Sequence, residues 1–490
     1  MAEIELKFQV PAARLDAVRR AVATPTARTS RLRAKYFDTP DRRLADAGLA
    51  LRVRLEDGLW VQTLKGRGAA QFERLEHEVV LGRQRGVPAL DIARHADTPV
   101  GEQLAAVLGD EACALQVVFE TDVRRTHRIA RSAGCAVELA LDVGEIRAGA
   151  ARLVLSELEF ELKSGELGGM LELAKRWAAG HHLWLDVRSK SQRGDLLARG
   201  LDASLPVHAG RPALTRHMNP DAALRAIVTS CIEHYLPNAA ELACGTGQPE
   251  HVHQARVALR RLRTALRLFG DWSVAVDAEW APALTELFAP LGQTRNRDVL
   301  AQTVLPALLA AGAPSIELPR VGAGSLVTDA VCAPRSTRLS LDLIKFAQGT
   351  APRSEHAGRV PAPTSLRALV RPRLKRLHKR LRKDAEVFLS IDDTQRHRIR
   401  KRLKRLRYGL DLTASLHAPN ALRRCLESLG PAQEALGLYN DLILAEAAFR
   451  EQLPIDARAW FALGWLAARR AQALKDAATA LEALARTPLP

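Results

Sequence analysis

Apolar and polar residues alternate strictly in several short runs of the first two hundred positions. Ile4-Glu5-Leu6-Lys7-Phe8 is one such run, and Leu51-Arg52-Val53-Arg54-Leu55 is another. A period of two predicts strands with one apolar and one polar face. Asp57-Gly58 follows the second run and leads into 59–65, a two-residue hairpin signal. Further alternating runs cover 74–79, 116–123, 136–142 and 156–163, and short amphipathic helices are expected at 12–22, 101–108 and 168–180. Many antiparallel strands with few helices predict a closed or nearly closed sheet.

The period changes after residue 220. Apolar residues recur at three- and four-residue spacing in 222–236, 250–270, 278–292, 366–389, 394–416, 420–450 and 456–486, which predicts helices. A Gly/Pro/Ser-rich stretch, 348–364, splits this region into halves that match each other. His253, Arg256, Arg260-Arg261-Leu262-Arg263 in the first half parallels His397, Arg400, Lys404-Arg405-Leu406-Arg407 in the second, at an offset of 144. Leu291-Gly292, Asn296 and Asp298 are echoed by Leu436-Gly437 and Asn440-Asp441, so an internal duplication is expected. Between the two regions, 205–220 has three prolines and no periodicity and reads as a linker. The expectation is an α+β multidomain chain: a strand domain over 1–203, a linker over 204–218, and a helical domain over 219–487 with repeats at about 219–347 and 365–487.

Charge sharpens this division. The 490 residues include 72 Lys+Arg and 55 Asp+Glu, a net +17, so a polyanion or an anionic surface is the expected partner. Residues 1–218 hold 33 basic and 29 acidic side chains, whereas 219–490 hold 39 and 26. Aromatics make up only 4%, which disfavours base stacking on single-stranded nucleic acid. The six cysteines never fall in CxxC spacing, so they read as reduced thiols rather than a zinc or redox motif. The opening MAEIELKFQV, with two acids and neither a basic nor an apolar leader segment, does not read as a signal peptide. The longest apolar stretches, such as 304–313 with its proline, are far short of a membrane span. A cytoplasmic protein is expected.

The polar faces of the strands are unusual. Glu3, Glu5 and Lys7 share one face, as do Arg52 with Arg54, Glu76 with Glu78, Glu138 with Asp142, and Glu157, Glu159 and Glu161 with Lys163. If Asp57-Gly58 is a two-residue turn, Lys65 joins the face of Arg52 and Arg54. A solvated face would mix in Ser, Thr and Gln, and clustered acids repel one another unless cations neutralise them. Carboxylates suit Mg²⁺ or Mn²⁺, and Arg and Lys suit phosphate oxygens. Together they describe a site for metal-bound polyphosphate, where phosphoryl transfer needs positioning and charge stabilisation. There is no GxxxxGK(S/T) loop, which excludes a Walker-type NTPase.

Glu3-Ile4-Glu5-Leu6-Lys7 resembles the ExExK signature of the CYTH family, the triphosphate tunnel metalloenzymes. Tyr36-Phe37-Asp38-Thr39-Pro40, Leu51–Arg54, Thr63-Leu64-Lys65, Glu157–Gly165 and Ser189-Lys190 extend the resemblance over roughly 1–200. It implies an eight-stranded antiparallel tunnel that binds triphosphate with a divalent metal. It further implies metal ligation by Glu3, Glu5, Glu157 and Glu159, with Glu138, Asp142 and Glu161 in the same set. Lys7, Arg52, Arg54, Lys65, Arg125 and Lys190 would be phosphate ligands, with Arg193 as a further candidate. Strand parity does not say which of Arg124 and Arg125 points inward. The implied catalytic group is Glu3, Glu5, Lys7, Arg52, Arg54 and Lys65.

In the helical region, His253, Arg256, Arg260, Arg263 and Arg267 fall within about 80° of one another around a helix, apart from the apolar stripe Ala255, Leu259, Leu262, Leu266 and Phe269. The second copy separates His397, Arg400, Lys404 and Arg407 from Ile399, Leu403, Leu406 and Leu410 in the same way. Aligned like charges destabilise a helix without a counter-ion, so an anion-binding groove is expected. The arrangement resembles the CHAD domain, which implies two pseudo-symmetric bundles whose basic groove binds inorganic polyphosphate. No helix-turn-helix, RNP or zinc pattern supports nucleic acid.

The expected activity is therefore hydrolysis of tripolyphosphate to pyrophosphate and phosphate with Mg²⁺ or Mn²⁺, with localisation to polyphosphate granules left open. Two alternatives remain. One is a non-catalytic polyphosphate-binding protein. The other is a tunnel enzyme for an organic triphosphate (thiamine triphosphate, a nucleoside triphosphate, or ATP cyclisation), with Trp60 and Tyr36 available to an organic group.

Overall fold

Strands form where the sequence alternates, and the chain reverses where turn chemistry allows it. The computed structural model describes residues 2–68, 73–109, 115–132, 134–316, 323–349 and 365–490. Its first elements are β1 (Ala2–Gln9), α1 (Leu15–Val22), β2 (Arg28–Asp38), α2 (Arg43–Asp46), β3 (Ala50–Glu56), β4 (Leu59–Arg67) and β5 (Glu73–Gly82). They continue with α3 (Pro99–Leu108), β6 (Gln116–Ser132), β7 (Cys135–Ala148), β8 (Ala151–Ser164), α4 (Leu167–His181), β9 (Trp184–Leu185) and α5 (Lys190–Arg199). Two compact units are present: Met1–Pro206 with Leu236–Gln248 and Thr328–Lys345, and Val207–Tyr235 with Pro249–Val327 and Phe346–Pro490.

The sheet runs β5-β4-β3-β2-β6-β7-β8-β1-β9, and β1 also pairs with β5, which closes it into a tunnel. Every pairing is antiparallel. The expectation of eight strands is corrected to nine among the described residues. The cause lies in β1: residues 2–4 pair with β5, leaving the same edge open further along, where Phe8 and Gln9 take Leu185 and Trp184 as partners. An open edge is a row of unpaired backbone groups, and the two-residue β9 satisfies it. At the β3–β4 turn both Asp57 (φ 49°) and Gly58 (φ 81°) have positive φ, as a type I′ hairpin requires. The register then pairs Ala50 with Lys65 and Arg52 with Thr63.

The polarity of the tunnel is the reverse of an ordinary barrel. Its outer face is apolar and covered by helices: Phe8 meets Phe160 and Phe160 meets Trp177 of α4 edge to face, while Leu51 and Leu64 pack with Val100, Leu104 and Leu108 of α3. Its inner face is charged except at one end. There Leu32, Ala34, Tyr36, Phe119, Val123, Ile146 and Leu155 form an apolar cluster with Leu197 and Ala198 of α5. A Cβ on Gly194 would lie 2.3 Å from the Phe119 ring, so glycine is what lets α5 approach this closely.

The helical elements are α6 (Pro220–Ala243), α7 (Pro249–Phe269), α8 (Trp280–Val299), extended by a π turn over Leu300–Val304, α9 (Leu305–Ala310), α10 (Ala323–Cys332), α11 (Pro334–Ala347), α12 (Leu366–Val387), α13 (Asp393–Leu412), α14 (Pro419–Gln452) and α15 (Ala459–Arg486). In α7 the buried stripe includes Ala255, Leu259, Leu262 and Phe269, and in α13 Ile399, Leu403, Leu406 and Leu410. Arg261 is fully buried as well; its Nη2 donates to the Gly210 carbonyl at 2.6 Å, and Asp411 lies 3.6 Å away. No helix among the described residues is long and apolar enough to cross a membrane.

Candidate active site and anion groove

Strand register sets the tunnel site in rows across the inner face. Arg125, Asp142, Glu157 and Gln9 face one another in one row. His127, Ala140, Glu159 and Lys7 form the next, and Glu138, Glu161 and Glu5 the one after. Asp142, Glu157 and Glu159 are buried, with ligand atoms all within 4.8 Å of one another, which is a spacing that one metal ion could bridge.

Cations surround this triad. Arg125 donates to both oxygens of Asp142, at 2.7 and 2.6 Å, and to Glu159 at 2.5 Å. Lys190 Nζ reaches Asp142 at 2.7 Å, Glu159 at 2.8 Å and also Glu157. Arg193, 6% exposed, pairs with Glu157. A capping box builds this end of α5: Gln192 N donates to Ser189 Oγ and Ser189 N to Gln192 Oε1, which puts Lys190 at the first helical position. Burial pushes the Asp142 carboxyl up, but Arg125 and Lys190 outweigh it and hold the group below its ordinary value. Glu159 is likewise held well below its usual value, burial being overcome by Lys190, Arg125 and Lys7. Lys190 is held above the ordinary lysine range, with burial overcome by Asp142, Glu157 and Glu159.

A second set of charges lies on β3, β4 and β5. Lys65 pairs with Glu76 at 2.8 Å, Arg52 sits 3.9 Å from Glu76 and 3.8 Å from Glu78, and Arg54 bonds Glu56 at 2.9 Å. Arg52 also donates to the Tyr36 hydroxyl at 3.4 Å. The Nε atoms of Arg52 and Arg54 are buried without a hydrogen-bond partner, as an arginine awaiting an anionic ligand would leave them. Tyr36 is held in place from below, because Asp38 accepts backbone N–H bonds from Thr39, Leu44 and Ala45 at 2.7, 2.9 and 3.0 Å and anchors the end of β2.

The remaining sequence-derived residues spread along the same face. Lys7 bonds Glu5 at 2.5 Å, and Lys163 bonds Glu161 at 2.5 Å and lies 3.7 Å from Glu138, so these acids sit apart from the triad. Glu3 belongs to β1 and pairs with Arg74, but its side chain falls outside the described residues. Of the Arg124–Arg125 pair, Arg125 enters the acid cluster and Arg124 is exposed. Glu76, Glu78 and Tyr36 join the site without having been singled out as ligands; the alternation of 74–79 carried the signal for the two acids.

In the helical unit the basic residues of both repeats converge. Arg256, Arg260 and Arg263 of α7 place their guanidinium carbons 4.4, 5.4 and 5.1 Å from the centre of the Phe288 ring on α8. Gly292, one turn on, leaves room for Arg256, whose Nη1 would lie 2.7 Å from a Cβ there. In the second repeat Arg407 instead donates to Gln433 Oε1 at 2.9 Å, and His397 Nδ1 bonds Asn440 Oδ1 at 2.8 Å. Like charges act on one another across the repeats. Burial, then Arg260, Arg400 and Arg295, bring Arg256 down to about 10. Burial, then Arg260 and Arg400, bring Lys404 down to about 6, with Asp441 opposing them. His253, Arg263 and Arg400 are lowered as well, burial being the first cause in each. Arg295 and Phe288 were not anticipated from the helical period, which marks neither.

The CYTH domain model matches residues 1–194 and the CHAD domain model matches 226–450. The chain thus carries a CYTH domain followed by a CHAD domain. It is 31% identical over 168 residues to an inorganic triphosphatase of Haemophilus influenzae, an alignment covering 33% of this chain and 44% of that protein. The chain therefore matches less than half the length of that curated relative. A CHAD domain structure from the plant Ricinus communis is 30% identical, with a TM-score of 0.48, covering 58% of this chain and 99% of that one. A Hippeastrum protein described as having a dominant triphosphatase activity is 18% identical, with a TM-score of 0.29, covering 41% and 96%.

Proposed function

We propose that the tunnel is a metal-dependent inorganic triphosphatase, converting tripolyphosphate and water to pyrophosphate and phosphate. The observation that carries this reading is the triad Asp142, Glu157 and Glu159, buried inside a closed sheet and ringed by Arg125, Lys190 and Arg193. The likeness to the Haemophilus influenzae inorganic triphosphatase agrees with it. The donor set is all carboxylate oxygen, which suits Mg²⁺ or Mn²⁺. Asp142, Glu157 and Glu159 would hold one ion, Glu5, Glu138 and Glu161 would contribute from the next row, and the ExExK resemblance adds Glu3 to the set. When bound, the metal supplies charge neutralisation at the phosphates and lowers the pKa of coordinated water.

The other work falls to the chain itself. Arg52, Arg54 and Lys65 grip the phosphates on one side, Lys7, Arg125 and Lys190 on the other. A chain of phosphates held at both ends leaves its anhydride bond extended and its leaving group facing fixed cations, which costs no reorganisation during transfer. Closure of the sheet and the α5 plug limit water to what enters from the open end. We also assign the α7–α13 groove to inorganic polyphosphate, because Arg256, Arg260 and Arg263 gather over Phe288 and feel the charge of Arg400 and Lys404 of the second repeat: a site crowded with like charge is relieved by a polyanion.

The test is phosphate release by the full chain from tripolyphosphate, ATP and thiamine triphosphate with Mg²⁺, Mn²⁺ or EDTA. Metal-dependent turnover fastest on tripolyphosphate, and lost in Glu5→Gln with the fold intact, is the expected result. Turnover of none of the three by a folded protein that still binds triphosphate would refute the enzymatic reading. Preference for an organic triphosphate would refute the substrate.

A further inference from the structure

The two repeats differ sharply in one helix. By the offset of 144, α12 is the counterpart of α6. α6 carries one basic and three acidic residues, whereas α12 carries nine and two. The same structural position is thus filled without those cations in the first repeat, so packing does not demand them. Three of the basic residues of α12, Arg371, Lys375 and Arg382, fall in line with His378, at spacings of four, three and four. They line a cleft of about 370 Å³ with Arg486, Thr487, Pro488 and Leu489 at the end of α15, and none of the residues lining it is acidic. His378 hydrogen-bonds the backbone at Leu484 and Thr487, which pins the last turn of α15 beside α12. Its Nε2 is buried and has no hydrogen-bond partner.

We propose that this cleft between α12 and the end of α15 is a second anion-binding site, separate from the α7–α13 groove, and that its ligand is a linear chain of phosphates. A row of cations about 16 Å long, at 1.5 Å per residue, fits an extended polyanion better than a single phosphate. No Phe, Tyr or Trp lines the cleft, so it lacks the large aromatic platforms on which single-stranded nucleobases stack. Arg371, Lys375, Arg382 and Arg486 match the charge, and a bound polyanion would favour the imidazolium form of His378, whose Nε2–H then donates to a phosphate oxygen at the cleft wall. The site stands on its own residues and does not depend on the groove.

The experiment is titration of the full chain with inorganic polyphosphate of defined length at physiological salt, in a background with the groove reversed by Arg260→Glu and Lys404→Glu. Two further pairs are compared in that background: Arg371→Glu with Arg382→Glu inside the cleft, and Arg376→Glu with Lys383→Glu on the same helix outside it. Both pairs change the net charge equally. Residual binding that falls by roughly tenfold more in the cleft pair than in the control pair supports the site. Equal losses in the two pairs would overturn it, as would absence of residual polyphosphate binding in the groove-reversed protein. Tighter binding of a single-stranded oligonucleotide of equal charge at the cleft would overturn the ligand. Binding that survives groove reversal and fails only on cleft reversal separates the two sites.

Discussion

Lys190 holds three buried carboxylates together, and its replacement by methionine isolates that role. The side chain is 12% exposed, Asp142 and Glu157 are fully buried, and Glu159 is 9% exposed, so solvent screens little of the interaction. Breaking a buried pair costs about 3–5 kcal/mol, because the charge left behind is uncompensated. Here each carboxylate keeps one guanidinium, Arg125 for Asp142 and Glu159 and Arg193 for Glu157, which places the cost near the lower end, about 3 kcal/mol. For a unit of this size that is a fall in Tm of roughly 6–12 °C. The carboxyl pKa values of Asp142 and Glu159 are depressed in the folded state. Their stabilisation is therefore complete above the ordinary carboxylate pKa and is lost as pH falls through the depressed values. The gap between Lys190→Met and the parent should be full at pH 7 and close in strong acid. A divalent ion at a hundred times its Kd should return about 2.7 kcal/mol to the variant. Calorimetry of the full chain with EDTA and then with Mg²⁺ reads both effects. Unfolding of variant and parent within 2 °C at pH 7 in EDTA would show that Lys190 is not bonded as described.

Three further outcomes follow from other parts of the structure. Lys404, lowered to about 6 from its usual 10.5, is largely neutral at pH 8, so polyphosphate should bind with uptake of close to one proton, seen as buffer-dependent heat; without ligand, stability should rise as pH rises from 6 towards 10, because the unfolded chain binds the extra proton. Phe288→Leu should weaken polyphosphate binding by several-fold with little change in its salt slope, since the three arginines remain but lose their common platform, and Phe288→Tyr should restore it. Asp38→Ala should cost about 1–2 kcal/mol in urea unfolding, three backbone donors losing one acceptor, while Asp38→Asn should cost less.

The strands and helices that could be anticipated are those whose two faces differ in polarity. β1, β3 and β4 put charge inward and apolar residues under helices, and α7 and α13 put a core stripe beside a basic one. β2 escaped because its polarity runs the other way. Leu32, Ala34 and Tyr36 face inward against the α5 end of the tunnel, while Arg31, Arg33 and Lys35 face out, so the run reads as a basic segment. β9 has two residues and no period. α10 and α11 follow one another with only Ala333 between them and lie beyond the last helical period recognised in the first repeat. Within the site, parity could not choose between Arg124 and Arg125, because both belong to one continuous strand. The choice is made by Asp142 directly opposite Arg125 on β7, a long-range pairing that no local pattern encodes.

The two charged regions obey opposite electrostatic rules, and this separates what each can select. Around the tunnel's buried triad, carboxylates move down and cations move up in proton affinity: Glu159 and Asp142 are lowered while Lys190 and Arg125 are raised. The charges of that cluster are already paired with one another. A ligand gains only if it replaces both sets of partners at once, bringing cations for the acids and anions for the bases, which is the composition of a metal–triphosphate complex. In the groove the shifts of Arg256, Arg263, Arg400 and Lys404 all run downward, with burial and neighbouring cations as causes. Asp441 offsets the crowding at Arg400 and Lys404 only in part, and a sufficiently dense polyanion of the right reach would relieve the rest. Exchange of buried partners leaves little net charge for salt to screen, whereas filling a crowded cationic groove releases counter-ions. On the proposed functions, selectivity for metal and chain length would therefore belong to the tunnel, and steep dependence on ionic strength to the groove.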